Sequence, residues 1–295
     1  MVSDLPKVEY AQNINVVDHI PVLWRLGLLD DQSAAAFLRM TVDGCTYERA
    51  VGRHLNTRFS DVYSIHRSLN TNDYLKRSHG DEGQPAMDRF NRAGRISSFI
   101  THYTLPMADL WFKTFPELKI IVTLRHPIDI CYSWRSRGWV HRWGKDPLGF
   151  SPTTAVNGEP VPWFALDFAE EYLLLSPINR IVRCVLALNQ MYDDALASLK
   201  ETQKAQVETV VFERMATEPV GELKRLAAWL GTNLHPEMPV ALARERVPRT
   251  LNIADRRAKL DEIAIDIKPE LLEQLISASG DYETRWGLEA LDHRK

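Results

Sequence analysis

One stretch constrains the fold of this chain more than any other: ELKIIVTLRHPIDICYSWRSRGW, from Glu117 to Trp139. It opens with the apolar and β-branched run Ile120–Thr123, which is typical of a short buried parallel strand. Pro127 then stands where a helix accepts its first residue, because the N–H that proline lacks would be unpaired at that position anyway. The stretch therefore predicts a strand, then Arg125 at its end, then the N-terminus of a helix.

Arg125 and this helix N-terminus together indicate an anion-binding site. Asp129 falls in the first turn of the predicted helix, where a carboxylate complements the helix dipole. The unpaired N–H groups and the positive end of a helix attract an anion, and phosphate is the natural ligand of such a site. The alternative is that Arg125 is a surface arginine that flanks the helix.

The segment RHPIDICYS carries a family resemblance in addition. Arg125, with Asp129 and Ser133 spaced behind it, resembles the 3′-phosphate-binding segment of sulfotransferases. These enzymes use 3′-phosphoadenosine 5′-phosphosulfate as the sulfuryl donor, and no metal is implied. In the family an arginine and a serine eight residues later bind the 3′-phosphate, so the resemblance implies that role for Arg125 and Ser133.

A second match lies downstream, in VETVVFERMATEPVGELKRLAAWLG, from Val207 to Gly231. It is similar to the family's strand–(Y/F)E(D/R)(L/M)–helix segment, which passes beside the nucleotide. Phe212 stands where many members have tyrosine, so a nucleotide contact there would lack the hydroxyl. The resemblance implies a three-layer α/β/α fold with a central parallel sheet, similar to that of P-loop nucleoside triphosphatases.

The N-terminal part departs from the family pattern. Sulfotransferases begin their core with a strand, a Gly- and Ser/Thr-rich phosphosulfate loop and a helix, and no such loop occurs here. VSDLPKVEYAQNI resembles the family segment that comes directly after that helix, so we expect the first strand and its loop to be missing. Alternatively, the loop is degenerate at His66-Arg67-Ser68, which lacks the glycines that allow close backbone approach to a phosphate, or that segment is simply a polar surface.

His102 is the candidate catalytic base. It lies in SSFITHYT, where the cytosolic sulfotransferases end a strand in Lys-Thr-His, and Ile100 takes the place of the lysine. A histidine, with an ordinary pKa near 6.5, suits proton abstraction at neutral pH. A histidine with purely structural hydrogen bonds is the alternative. Other family members use a glutamate at a position that falls on the neutral amides Gln12 or Asn13, with Glu9 as the nearest acid.

Apolar periodicity predicts helices in most of the remaining chain. Asp30 or Asp31 is expected to cap a helix within the helical region 18–55, whereas the polar stretch 68–95 is expected to be a long loop. Further helices are predicted to start at Pro177, to span 220–230 with Gly231 as the C-terminal glycine, and to span 269–279.

Two basic segments could contact ligands. Residues 133–147 combine three tryptophans with several cations, which suits a carbohydrate or another polar acceptor, or else covers the edge of the sheet. This segment opens a lid-like insertion at about 134–162. The second segment, in a helical C-terminal part at about 236–295, offers candidates for a further phosphate contact or a charged helix face: Arg244, Arg246, Arg249, Arg256 and Arg257.

Composition limits the function classes. The chain has 295 residues, a formal net charge of −3, 45% hydrophobic residues and three cysteines without metal-like spacing. We therefore expect a single sulfotransferase-like domain over 1–295, in the cytoplasm, with neither nucleic acid nor membrane as a partner. The predicted activity is sulfuryl transfer to a hydroxyl or amine of a small-molecule or carbohydrate acceptor. The alternative is a catalytically inactive, truncated relative that binds the nucleotide or a partner.

Overall fold

The strands form three separate pairs in the computed structural model, which describes residues 1–146 and 148–291. Two pairs are parallel and one is antiparallel. In chain order the strands of the described residues are β1 (Gln12–Asn13), β2 (Phe99–Ile100), β3 (Ile120–Leu124), β4 (Thr153–Val156), β5 (Glu159–Pro162) and β6 (Val207–Val211). β1 pairs with β2 and β3 with β6 in parallel, whereas β4 and β5 form a hairpin.

Helices account for most of the ordered secondary structure. Within the part of the chain that is described they are α1 (Asn15–Arg25), α2 (Asp31–Ala50), α3 (Thr71–Arg77), α4 (Gly83–Arg92), α5 (Ala108–Thr114), α6 (Pro127–Ser136), α7 (Ala169–Leu174), α8 (Pro177–Ser198), α9 (Glu201–Lys204), α10 (Phe212–Thr217), α11 (Pro219–Leu230), α12 (Met238–Arg244), α13 (Ile253–Ala264) and α14 (Pro269–Trp286). A helix-rich α/β fold with parallel strand pairing, as predicted, is confirmed.

The chain divides into two units that each draw on separate parts of the sequence. The first unit comprises Met1–Thr104, Asp109–Leu118 and Arg214–Arg249. The second comprises Leu105–Ala108, Lys119–Glu213 and Thr250–Lys295. The single domain over 1–295 and the lid-like insertion at about 134–162 remain predictions.

The second unit is built around β3 and β6. Ile120 and Val122 are buried on one face of β3, as the β-branched run predicted. The parallel register pairs Ile120 with Val207 at one end and Leu124 with Val211 at the other. β6 ends at Val211, and Phe212 is already the first residue of α10.

Helix α6 follows β3 immediately and begins as the sequence predicted. Pro127 is its first residue, and the preceding His126 caps it, since the Nδ1 atom of His126 accepts a hydrogen bond from the N–H of Ile128 at 3.3 Å. The apolar face of α6, with Ile128 and Cys131 fully buried, packs against α8, α13 and α14. This core holds the helix in a fixed position at the end of β3. Its buried members are Ile128, Cys131, Leu175, Ile178, Ile181, Val182, Val185, Leu260, Ile263, Ile267, Leu271, Leu275 and Leu291.

In the first unit the short β1–β2 pair brings two distant segments together. Gln12 lies opposite Phe99 and Asn13 opposite Ile100, and α1 packs against α2. Asp30 caps α2, as predicted, because its side chain accepts hydrogen bonds from two backbone N–H groups in the first turn of the helix, at 2.9 Å each.

One prediction for this unit is wrong. The stretch 68–95 is not a long loop, because it contains α3 and α4, whose buried Tyr74, Ala86 and Phe90 supply apolar anchors too sparse to stand out in a polar sequence. The segment SSFITHYT, at 97–104, forms the short strand β2 at Phe99–Ile100 and then continues as an irregular loop.

The hairpin β4–β5 lies at the end of the segment 134–162, in which the sequence predicted a lid-like insertion. Asn157 and Gly158 form its turn, with φ angles of 52° and 82°. Positive φ at both central residues defines the type I′ turn that suits a two-residue hairpin, and Asn-Gly is its preferred sequence.

The helices predicted to start at Pro177, to end before Gly231 and to start at Pro269 are all present. Gly231 adopts the left-handed conformation, with φ of 73°, that a glycine supplies at a helix C-terminus. α14 continues seven residues beyond its predicted end at Ser279, to Trp286. Over the described ranges, no helix is both apolar enough and long enough to cross a lipid bilayer.

Candidate functional site

The site lies in the second unit, where the chain leaves β3 and β6 at their carboxyl ends. The parallel register ends with Leu124 opposite Val211, and the next residues of the two segments are Arg125 and Phe212. The guanidinium carbon of Arg125 lies 4.7 Å from the centroid of the Phe212 ring, in cation–π contact. Phe212, which the family resemblance placed at the nucleotide, is thus a direct partner of Arg125.

The ring of Phe212 contacts the guanidinium of Arg125, but one N–H group of the guanidinium makes no hydrogen bond within the described residues. Its Nε atom is buried and has no hydrogen-bond partner in the described residues. A buried donor without a partner costs free energy, and such a group in a native fold calls for an explanation. Arg125 stands at the end of a parallel strand and two residues before a helix begins, where an anion would complete its hydrogen bonds.

Glu213 binds His126, the residue that follows Arg125 at the junction of β3 and α6. Its Oε1 atom accepts a hydrogen bond from the backbone N–H of His126 at 3.0 Å, and its Oε2 atom accepts one from the hydroxyl of Tyr282 at 2.8 Å. Arg256 lies 3.7 Å from the same Oε1 atom. The side chain of Glu213 is buried, so these contacts replace the water that an ionised carboxylate would otherwise bind.

His126 links the junction to the C-terminal helix. Because its Nδ1 atom accepts from Ile128, a neutral ring carries its proton on Nε2, which donates to Glu283 at 3.0 Å. Burial lowers the pKa of His126, and the positive charge of Arg256 lowers it further, against the opposing effect of Glu283. Glu283 also accepts the backbone N–H of Leu291 at 3.1 Å.

Asp129, at the N-terminus of α6, forms ion pairs with two basic side chains. Lys259 donates to one of its carboxylate oxygens at 2.8 Å and Arg256 to the other at 3.3 Å. Burial alone would raise the pKa of Asp129, but the hydrogen bond from Lys259 and the charges of Arg256 and Arg125 outweigh it and lower the pKa. The predicted interaction with the helix dipole is therefore only part of its environment.

Ser133 lies on the same unit, six residues after the first residue of α6. It is four residues beyond Asp129 and hence on the same face of the helix. The helical rise places it about 9 Å further along the axis than Pro127. Its contact with a phosphate stays a prediction.

Of the five arginines considered near the C-terminus, Arg256 contacts this site through Asp129. Arg244 instead pairs with Asp4 at 2.8 Å, and Arg257 pairs with Asp261 at 2.9 Å. Sequence reasoning missed Lys259, although its spacing of three residues from Arg256 puts both on one face of α13.

His102 belongs to the first unit, where Asp18 of α1 holds it. Asp18 is buried and accepts the backbone N–H of His102 at 2.8 Å, while its second oxygen lies 2.7 Å from the Nδ1 atom of the ring. Donation from Nδ1 makes Nε2 the acceptor nitrogen of the neutral imidazole. Such an oriented histidine can take up a proton at Nε2.

The other acidic candidate for the base, Glu9, is already paired with an arginine. Glu9 is completely buried and receives two hydrogen bonds from Arg77, at 2.7 and 3.0 Å. A carboxylate in such a bidentate pair is held as a structural anion. Among the neutral amides, Asn13 is next to Ile100 in the β1–β2 register.

The segment considered as a degenerate loop has ordinary side-chain partners. Residues Ile65–Arg67 form a short 3₁₀ helix. The ring of His66 stacks on Phe59 at 4.0 Å, and Arg67 forms an ion pair with Glu245 at 3.1 Å. These contacts fit a polar surface segment.

The tryptophans of the basic segment pack mainly against other aromatic rings. Trp134, Trp143 and Phe164 lie within 6.3 Å of one another, and Trp143 is buried. Trp139 carries Arg142 over its ring at 4.5 Å. Trp134 and Trp143 therefore serve in packing, and carbohydrate binding by this segment stays a prediction.

No cluster of three or more histidine, cysteine, aspartate or glutamate side chains that could hold a metal ion occurs in residues 1–146 and 148–291.

Comparison with known proteins gives one family match. Residues 34–248, well over half of the chain, match the family model described as the sulfotransferase domain. No curated protein is significantly similar in sequence.

Two solved structures are similar to the chain. A sulfotransferase domain from the curacin biosynthetic pathway is 14% identical, with a TM-score of 0.39 and 76% of each chain covered. A sulfotransferase from Alicyclobacillus acidocaldarius is 16% identical, also with a TM-score of 0.39, with 100% of this chain and 89% of that chain covered.

Proposed function

The chain belongs to the sulfotransferase domain family, and on that premise we propose that it transfers a sulfuryl group from 3′-phosphoadenosine 5′-phosphosulfate to a hydroxyl or amine. The observation that carries the proposal is the buried Nε atom of Arg125 without a hydrogen-bond partner among the described residues. It lies at the carboxyl end of β3, the edge at which α/β proteins bind ligands.

Arg125 and Ser133 are proposed to bind the 3′-phosphate of the donor. The cation–π contact with Phe212 restricts the movement of the guanidinium, whose N–H groups can meet two phosphate oxygens at once. Arg256 and Lys259 add positive potential beside the N-terminus of α6, although Asp129 offsets part of it. Phe212 is proposed to border the nucleotide as well as to support Arg125.

His102 is proposed as the base that activates the acceptor. The acceptor oxygen or nitrogen attacks the sulfur while the bond between the sulfur and the bridging phosphosulfate oxygen breaks. That bonding electron pair stays on the 5′-phosphate, which leaves as adenosine 3′,5′-bisphosphate, and the acceptor proton moves to Nε2 of His102. Asp18, hydrogen-bonded to Nδ1, stabilises the imidazolium that forms.

The finer features of the fold are part of the same proposal. We expect the parallel pairs to belong to the three-layer α/β/α arrangement of sulfotransferases, with the ligand at the carboxyl edge. The acceptor is proposed to be a small molecule or carbohydrate. No resident metal or further cofactor is required, because positioning and charge neutralisation can supply most of the rate acceleration.

The test is release of adenosine 3′,5′-bisphosphate from the donor, measured by chromatography with panels of alcohols, phenols, sugars and amines. We expect acceptor-dependent release that the His102→Ala variant loses. A wild-type chain that binds adenosine 3′,5′-bisphosphate but releases none with any panel would instead be a nucleotide-binding protein without transferase activity.

A further inference from the structure

The C-terminal helix α14 lies outside the residues that match the sulfotransferase domain, yet it contacts the Arg125 junction at two points. Tyr282 donates to Glu213, and Glu283 accepts from His126. Neither residue occurs in a segment that resembles the family. These two contacts connect α14 to the residues next to Arg125.

Glu213 and Phe212 act on consecutive residues of the opposite segment. Phe212 contacts the side chain of Arg125, while Glu213 binds the backbone N–H of His126. The peptide that joins Arg125 to His126 is therefore fixed from one side by two neighbouring residues. Any rotation of the Glu213 carboxylate would release the His126 N–H and allow the backbone of Arg125 to shift.

Tyr282 fixes the orientation of that carboxylate. Its hydroxyl donates to the oxygen of Glu213 that does not bind His126, and its ring meets the imidazole of His126 edge-on at 5.6 Å between centroids. Burial raises the pKa of Tyr282, and proximity to the buried anionic Glu213 raises it further, so that the phenol keeps its proton. The donor role of the hydroxyl is thus maintained throughout the neutral pH range.

We infer that Glu213, held by Tyr282 of α14, is a positioning residue that sets the placement of Arg125 for the 3′-phosphate. This inference rests on the proposed function, because it assumes that Arg125 binds a phosphate. It assigns the C-terminal helix a part in ligand binding without any contact to the ligand.

The experiment compares two conservative variants with a control from the same helix. Tyr282→Phe removes only the hydroxyl that orients Glu213. Glu213→Gln replaces one accepting oxygen by an amide NH₂ donor, so that the side chain can no longer accept from both His126 and Tyr282. Ser279→Ala removes another buried hydroxyl from α14, one that donates to the backbone carbonyl of Leu275 in the same helix at 2.7 Å. All three full-length variants are titrated with adenosine 3′,5′-bisphosphate and with adenosine 5′-monophosphate.

The measured quantity is the ratio of the two dissociation constants. We expect Tyr282→Phe and Glu213→Gln to weaken bisphosphate binding by about tenfold, the lower end of the loss seen when a supporting partner is removed at metal sites. Monophosphate binding should stay within about twofold, a change of less than roughly 0.5 kcal/mol. Ser279→Ala should change neither dissociation constant. General destabilisation would affect both nucleotides alike and leave the ratio unchanged.

The outcomes separate this inference from the proposed function. If wild-type protein does not distinguish the two nucleotides, the proposed 3′-phosphate site is wrong. If wild type does distinguish them and both Tyr282→Phe and Glu213→Gln keep the wild-type ratio, the site stands and the positioning role is overturned.

Discussion

Arg125 and Phe212 meet with 4.7 Å between the guanidinium carbon and the ring centroid, directly beyond the last paired residues of β3 and β6. The contact follows from the parallel register, which brings the two residues to the same level at the carboxyl edge. Contact with the ring restricts the positions that the guanidinium can take. The arginine is thereby arranged before an anion binds, which reduces the entropy that binding must remove.

Replacing Phe212 tests this arrangement. Phe212→Leu should weaken binding of adenosine 3′,5′-bisphosphate by about 0.5–2 kcal/mol, the range of a cation–π interaction from exposed to desolvated sites. Phe212→Tyr retains an aromatic face and serves as the matched control, with affinity close to that of wild type. Calorimetric titration measures both. Equal affinities for the leucine and tyrosine variants would show that the ring does not support Arg125.

The proposed base gives a kinetic prediction. His102→Ala should reduce turnover about 10²–10⁴-fold, the usual contribution of a general base, while bisphosphate affinity stays unchanged. Asp18→Asn should also reduce turnover, because an amide can donate to Nδ1 and so favour the tautomer whose Nε2 is already protonated. The exposed His79 supplies the control variant His79→Ala, which should keep full turnover. Full turnover in His102→Ala would remove His102 from the mechanism.

His126 predicts a pH dependence of stability. Its folded pKa lies below the ordinary value of about 6.5. Below that pH the unfolded chain binds a proton that the folded chain does not, so the free energy of unfolding falls as the pH falls from about 6.5. Above about 6.5 both states are neutral at this residue and its contribution is constant.

Urea denaturation at several pH values between about 5 and 8 measures this effect. His126→Asn keeps an acceptor suited to cap α6 and should flatten the pH dependence. The control His141→Asn changes an exposed ring and should keep the pH dependence of the wild-type protein. The same decline with pH in His126→Asn as in wild type would contradict the assignment.

The ion pair of Lys259 with Asp129 should contribute to stability. Lys259→Met removes a charged hydrogen bond to a largely buried carboxylate. We expect the free energy of unfolding to fall by about 1–3 kcal/mol, with Arg256 still bound to the other oxygen. The control Lys204→Met breaks an exposed ion pair with Glu201 and should change the free energy of unfolding by less than about 1 kcal/mol. Equal effects of the two substitutions would place Lys259 among ordinary surface cations.

The local part of the site could be predicted from the sequence. An apolar β-branched run before Arg125 and a proline after it specify a strand and a helix start through short-range effects. The same reasoning located β6 and α11. Asn157-Gly158 carried an equally local turn signal, and the hairpin β4–β5 could have been predicted from it.

The tertiary part of the site could not be predicted in this way. Arg256, Lys259, Tyr282 and Glu283 lie more than 120 residues after Arg125 along the chain, and nothing in their local pattern distinguishes them from a solvated helix face. Their position follows from the packing of α13 and α14 on α6 and α8 through a shared apolar core. Which residues a buried carboxylate such as Asp129 will meet is decided by that packing.

Six dissociation constants test the central claim, that Arg125 binds the 3′-phosphate. They are those of wild type, Arg125→Ala and Arg135→Ala, each for adenosine 3′,5′-bisphosphate and adenosine 5′-monophosphate. Arg135→Ala removes a charge from the far end of α6 and is the control. We predict that wild type and the control prefer the bisphosphate by about 1.5–3 kcal/mol, the scale of a charged hydrogen bond, and that Arg125→Ala loses this preference. An equal preference in Arg125→Ala and in wild type would contradict the claim.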